Sequence, residues 1–204
     1  MAGNFEEIQQ RFVQMLEDGR HIFDASANAL VGGTDPEAIR ADLFATDRRI
    51  NETEQELRRL IVVHGSVHGA PSFPALLVTM SVAKDAERIG DYAKNLFDLR
   101  VAGVPLGDEA TPLTELKDQI SRLLVKAANL YQSEDEAGAR AFLAEADRVE
   151  DACDAAVTRL LALTNDNAAG RALAYRYLKR VTSHASNVVT ALVMPLDKLD
   201  FFDE

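Results

Sequence analysis

The sequence predicts an all-α fold, a tandem repeat of two antiparallel three-helix bundles. Apolar residues recur at helical spacing through six long stretches, and no strand-like alternation of period two appears between them. Gly and Pro cluster at the breaks. Corresponding segments also return about half a chain apart, which marks an internal repeat. The composition agrees, with abundant Ala and Leu, no Trp and 6% aromatics.

The first helix is expected from Asn4 to Leu30, with Phe5, Ile8, Phe12, Met15, Ile22 and Phe23 on its buried stripe. Gly19 and Ser26 fall on the same stripe. Asn4 followed by Glu7 has the form of a capping box. The second helix begins with Asp35 as N-cap and Pro36 at its first position. It runs through Ile50, Leu57 and Ile61 until "HGSVHGAPSFP", whose glycines and prolines read as a loop. The third starts near Pro74 and ends at "VAGVPLGDEATP"; its first half is nearly all apolar, as in a central helix. Thr111 and Pro112 are expected to open the fourth helix by the same cap-then-proline device. The fifth spans roughly Glu134 to Leu163, and the sixth Ala168 to Val193, stopped by Pro195.

The repeat is clearest between the third and sixth helices, where "AERIGDYAKNL" aligns with "LKRVTSHASNV". Arg88 then matches Arg180, Tyr92 matches His184 and Asn95 matches Asn187, an offset of 92 positions. Asp47 and Asp147 match at an offset of 100. The expected units are residues 1–105 and 106–204, side by side.

A net charge of −11 repels nucleic acid, and the arginines of "TDRRINETEQELRRL" are interleaved with acids, as on a solvated helix face. Cys153 is the only cysteine, so an internal disulfide is impossible; among Ala152, Ala156 and Val157 it reads as a small buried hydrophobe. The N-terminus lacks the order of a signal peptide, and no run of about 18 apolar residues exists, so a cytoplasmic protein is expected.

Gly90 in the middle of the third helix costs about 1 kcal/mol relative to Ala, and Glu87 with Asp91 places two like charges on one face. For Gly90 the reading is close approach of a neighbouring helix, since it lacks a Cβ. Glu87, Asp91, Asn95 and Asp98 form an oxygen-bearing stripe. If Asp47 faces it from the second helix, the carboxylates repel unless a proton or cation intervenes. Mg²⁺ or Mn²⁺ suits such a site and iron is an option, whereas zinc is a poor match without His. The alternative is that Lys84, Arg88 and Lys94 absorb the charges as ion pairs. Asn95 and Asn187 read as interhelical hydrogen bonders and His184 as structural. His64 and His68, four apart, read as helix-end residues that favour the dipole.

"ERIGDYAKN" resembles the hallmark of the PhoU family, the regulators of phosphate uptake, with Tyr92 where the family has His. The resemblance covers nearly the whole chain and implies the same twin three-helix architecture. It further implies metal-binding acids on the second and third helix of each bundle. Here these are Asp47, Glu87 and Asp91 in the first repeat, with Asn51 replacing the second acid, and Asp147 and Asp151 in the second. Lys179 and Ser183 stand where the sixth helix would carry acids, so Lys179 is expected to pair with Asp147 or Asp151. The family's Asp-Leu-Arg before the third helix is replaced by Ser72, Phe73 and Pro74. The chain thus resembles a divergent member of the family.

No Gly-x-Ser-x-Gly, phosphate-binding glycine loop or metalloprotease motif is present, so an enzyme is the weakest reading. The resemblance implies a non-enzymatic regulator that docks on a phosphate transporter, a sensor kinase or both at the cytoplasmic face, with a homodimer plausible by symmetry. The competing readings are a metal-binding or storage bundle and an accessory subunit of another transporter.

Overall fold

The structure, a computed structural model, describes residues 5–163 and 167–199. Its long helices are α1 (Phe5–Gly32), α2 (Pro36–His68), α3 (Phe73–Val101), α4 (Ala110–Ser133), α5 (Glu136–Leu161) and α6 (Ala168–Thr190). No strand occurs among the described residues. Asn4 of the expected capping box lies outside them. No helix among them is long and apolar enough to cross a membrane.

The helix starts follow local chemistry where a side chain can cap. Asp35 accepts a hydrogen bond from the Glu37 amide at 3.0 Å, with Pro36 opening α2 as expected. Asp135 caps α5 through the Gly138 amide at 2.9 Å, so Glu134 belongs to the preceding turn, where it closes α4 in the left-handed region at φ 53°. Thr111 is not a cap: α4 begins at Ala110, and a single 3-10 turn over Gly107–Glu109 leads into it.

The expected loop at "HGSVHGAPSFP" is shorter than its composition suggests. α2 continues to His68, and His64 and Gly65 are buried helical residues. A Cβ on Gly65 would lie 2.9 Å from Phe73 Cε1, so this glycine makes room for the start of α3 instead of ending α2.

α1, α2 and α3 form one antiparallel unit and α4, α5 and α6 the other. The two join where α1 lies on α4 and α3 on α6, so repeat-equivalent helices meet each other. The interior is one continuous apolar cluster, from Ile8, Phe12, Met15 and Phe23 through Leu96 and Phe97 to Phe142, Tyr175 and Val181. Gly90 packs as expected: its missing Cβ would sit 3.2 Å from Ile50 Cδ1 and 3.6 Å from Ile22 Cδ1. Gly19 plays the reciprocal part on α1, where a Cβ would meet Ile89 Cγ2 at 3.2 Å. Helix propensity is given up at both positions so that three helices can close on one point.

Candidate functional site

α2 and α3 bring two of the first-repeat acids onto one face. Lys94 Nζ lies 2.6 Å from Asp47 Oδ1 and 2.9 Å from Asp91 Oδ1, so one ammonium bridges both carboxylates. Burial alone would lower the Lys94 pKa; the hydrogen bonds to Asp47 and Asp91 outweigh it and raise the value. Glu87 is placed differently. It is 8% exposed, with Lys84 Nζ 2.7 Å from its Oε2. Burial pushes its carboxyl above the usual range; Lys84 opposes this, while Asp91 and Glu54 add to it. Lys84 and Lys94 therefore hold the acids in ion pairs. Among the described residues no three His, Cys, Asp or Glu side chains converge as metal ligands would.

In the second repeat the expected pairing is shifted along the helix. Asp147 and Asp151 are exposed on α5. Lys179 pairs with Asp154, not with either of them, and Ser183 Oγ donates to Glu150 Oε2 at 2.6 Å. Burial raises the Glu150 carboxyl, with Ser183 and Lys179 acting against it. The reason is helical phase. A step of three residues turns the helix about 300°, which moves a side chain about 60° around the axis. That rotation separates the solvent-facing Asp147 and Asp151 from the α6-facing Glu150 and Asp154. "EADRVEDACD" offers all four acids, and only the packing of α6 selects among them.

A buried polar contact joins the repeats. Asp85 Oδ1 lies 2.7 Å from His184 Nδ1 and accepts from Asn187 Nδ2 at 2.8 Å. A carboxylate can only accept, so Nδ1 carries the proton. The His184 ring stacks on Tyr92, its repeat equivalent, with centroids 5.4 Å apart and planes 20° from parallel. Asn187 makes the expected interhelical bond; Asn95 makes no hydrogen bond among the described residues. Sequence reasoning missed Asp85, which sits in the apolar half of α3. An acid surrounded by Val82, Ala83 and Ala86 was the available signal.

A second buried acid, Glu109, clamps α4 to α5 and α6. Arg159 donates from Nη1 and Nη2 to its two oxygens at 2.6 and 2.8 Å, and Tyr175 Oη donates at 2.6 Å. The Arg159 guanidinium in particular holds the Glu109 carboxyl down at about 2, from an ordinary 4.5. A carboxyl lowered on folding stabilises fully above its unfolded pKa and loses that contribution as pH falls toward its folded one. Glu109→Gln should therefore cost about 1–2 kcal/mol at neutral pH, after allowing for the exposed Arg159. Denaturant unfolding from pH 7 down to pH ~2.5 should show the gap between the two proteins closing below pH ~4.5; a gap constant with pH would contradict the clamp. Cys153 is buried, and burial foremost pushes its thiol up to about 12, so it is a packing residue without thiolate character.

Comparison with known proteins places this geometry. Residues 12–99 match the family model of the PhoU domain. That segment contains Asp47, Glu87 and Asp91. PhoU from Pseudomonas aeruginosa superposes with a TM-score of 0.75 at 17% identity, over 93% of this chain and 95% of that one. The phosphate transport system regulatory protein PhoU from Streptococcus pneumoniae gives 0.80 at 15% identity, over 92% of each chain. No curated protein matches the chain at a significant level. Residues 12–99 of the first three-helix unit are thus similar to the PhoU domain, and the chain as a whole has the fold of PhoU proteins.

Proposed function

We propose that this protein is a non-enzymatic regulator of phosphate transport and phosphate-starvation signalling, acting by docking on a phosphate transporter, its sensor kinase or both at the cytoplasmic face of the membrane. The observation that carries this reading is the PhoU domain match over residues 12–99, which takes in the acids of α2 and α3 and the "ERIGDYAKN" segment. The PhoU fold over the rest of the chain supports it. Long helical faces suit docking onto partner helices, and a net charge of −11 favours a basic partner surface over anionic lipid. Deleting the gene should alter phosphate uptake and the response to phosphate starvation, and restoring it should reverse both. Unchanged uptake together with an unchanged starvation response would remove the reading.

A second reading, cation binding, draws on the meeting of Asp47 and Asp91 around one ammonium. Mg²⁺, Mn²⁺ or iron entering there must displace Lys94 Nζ and recruit further oxygens, with Glu87 a candidate one turn from Asp91 on α3. Asp147 and Asp151 would serve the second repeat. On this reading Lys94→Ala raises the metal content of the purified protein above that of the parent, measured by elemental analysis after incubation with Mn²⁺. Equal, negligible metal in both proteins counts against it.

A further inference from the structure

Arg88 and Arg180 occupy equivalent places in the two repeats, and the fold brings both to one groove. This groove, of about 690 Å³, runs along α3, with Arg180 of α6 on one side and Phe44 of α2 on the other. Its floor carries Arg88, Tyr92 and Asn95, which are spaced four and three residues apart and so share one face of α3. Arg180 is parked with its guanidinium carbon 5.3 Å from the centre of the Tyr92 ring, and His184 of the same helix stacks on that ring.

None of these four polar side chains makes a hydrogen bond or an ion pair within the described chain. Two guanidiniums, a phenol and an amide thus leave their donors facing solvent in the same concavity. The nearby acids do not neutralise them. Asp91 is engaged by Lys94. Asp98, which also lines the groove, lies ten residues beyond Arg88, about 15 Å along the helix axis. The arrangement is unexpected in a chain of net charge −11. Two guanidiniums lining one groove repel each other unless an anion enters it, and the planar fork of Arg matches the paired oxygens of a phosphate group.

We propose that this groove is an oxyanion site that takes a phosphate group through Arg88 and Arg180, with Tyr92 and Asn95 as further donors. The groove is larger than orthophosphate requires and lies in the size range of small-molecule pockets. Phe44, 45% exposed at its rim, offers an apolar face to any organic body attached to the phosphate. The ligand is therefore inorganic phosphate or a phosphorylated small molecule of nucleotide size. The proposal does not rest on the regulatory reading, because binding is measured on the purified protein alone.

The test is titration of the intact chain with inorganic phosphate and, separately, with ATP as a phosphorylated organic anion, at constant ionic strength, followed by calorimetry and by amide shifts in NMR. Parent, Arg88→Gln, Arg180→Gln and Phe44→Ala are compared, with circular dichroism to confirm helicity. Saturable binding of at least one anion is expected, weakened about tenfold or more in each arginine variant, the loss of a charge-assisted hydrogen bond. Phe44→Ala should weaken ATP only if the organic ligand is the true one, and should leave inorganic phosphate unaffected. Arg88 makes no hydrogen bond or ion pair in the described chain, so Arg88→Gln should fold even if Arg180→Gln does not. Absence of saturable binding of both anions up to ~10 mM, or Arg88→Gln binding like the parent, would overturn the proposal.

Discussion

Asp85→Ala should destabilise the protein by about 2–4 kcal/mol, the largest polar effect expected in the molecule. The substitution strips His184 Nδ1 and Asn187 Nδ2 of their common acceptor at once. His184 is 2% exposed and its Nε2 has no hydrogen-bond partner among the described residues, so water cannot readily replace what is lost. An orphaned buried donor costs its full desolvation, which exceeds the net worth of the bond that satisfied it. For a chain of this size the loss corresponds to a melting temperature lower by roughly 5–15 °C. Asp85→Asn retains an acceptor oxygen and should fall between the two proteins. If thermal melts place Asp85→Ala within about 1 kcal/mol of the parent, the contact is not holding the repeats together. Because it lies between α3 and α6, the same variant should also loosen the two units against each other, seen as faster amide exchange along both helices.

Gly90→Leu should cost about 2–3 kcal/mol, whereas Gly90→Ala should stay within about 1 kcal/mol of the parent. The helix gains about 1 kcal/mol when glycine becomes alanine. Against this stands a new Cβ at 3.2 Å from Ile50 Cδ1, the far end of a flexible side chain that can yield by a few tenths of an ångström. Leucine adds three more carbons to the same point, with Ile22 Cδ1 closing the other side, and there is no space for them. Urea unfolding separates the outcomes. Combining Gly90→Ala with Ile50→Val removes the opposing methyl, so the pair should be more stable than the sum of the single changes. A leucine variant as stable as the alanine variant would mean that the helices do not close at Gly90.

Helix count, helix order and the repeat were legible because each rests on local information. Apolar spacing of 3.6 residues and Asp35 before Pro36 act over a few residues and need no partner, whereas the last helix ends at Thr190, short of the expected Val193 and of Pro195. The errors at the ends share one cause. Gly65 and Thr111 carry the residue types of a break and a cap, but tertiary contact overrode them: Phe73 presses on Gly65, and a 3-10 turn takes over the approach to α4. The candidate site divides in the same way. That Asp47 and Asp91 share a face was within reach once two amphipathic helices were placed side by side. That Lys94 stands between them, that Lys179 chooses Asp154, and that Asp85 is the acid joining the repeats all depend on rotations of tens of degrees about helix axes. Spacing alone does not carry that information.

The amino-acid sequence by itself determined six helices in two equivalent sets, the surplus of negative charge, and the pairing of Arg88 with Arg180 and of Tyr92 with His184 as repeat partners. Only the tertiary structure decided that these partners meet, with Tyr92 stacked on His184 and both arginines opening into one groove. Periodicity tells which face of a helix turns inward, because that follows from the cost of exposing apolar surface. Which charged group touches which is settled later, by how close-packed side chains such as Ile22, Ile50 and Ile89 lock the helices in phase.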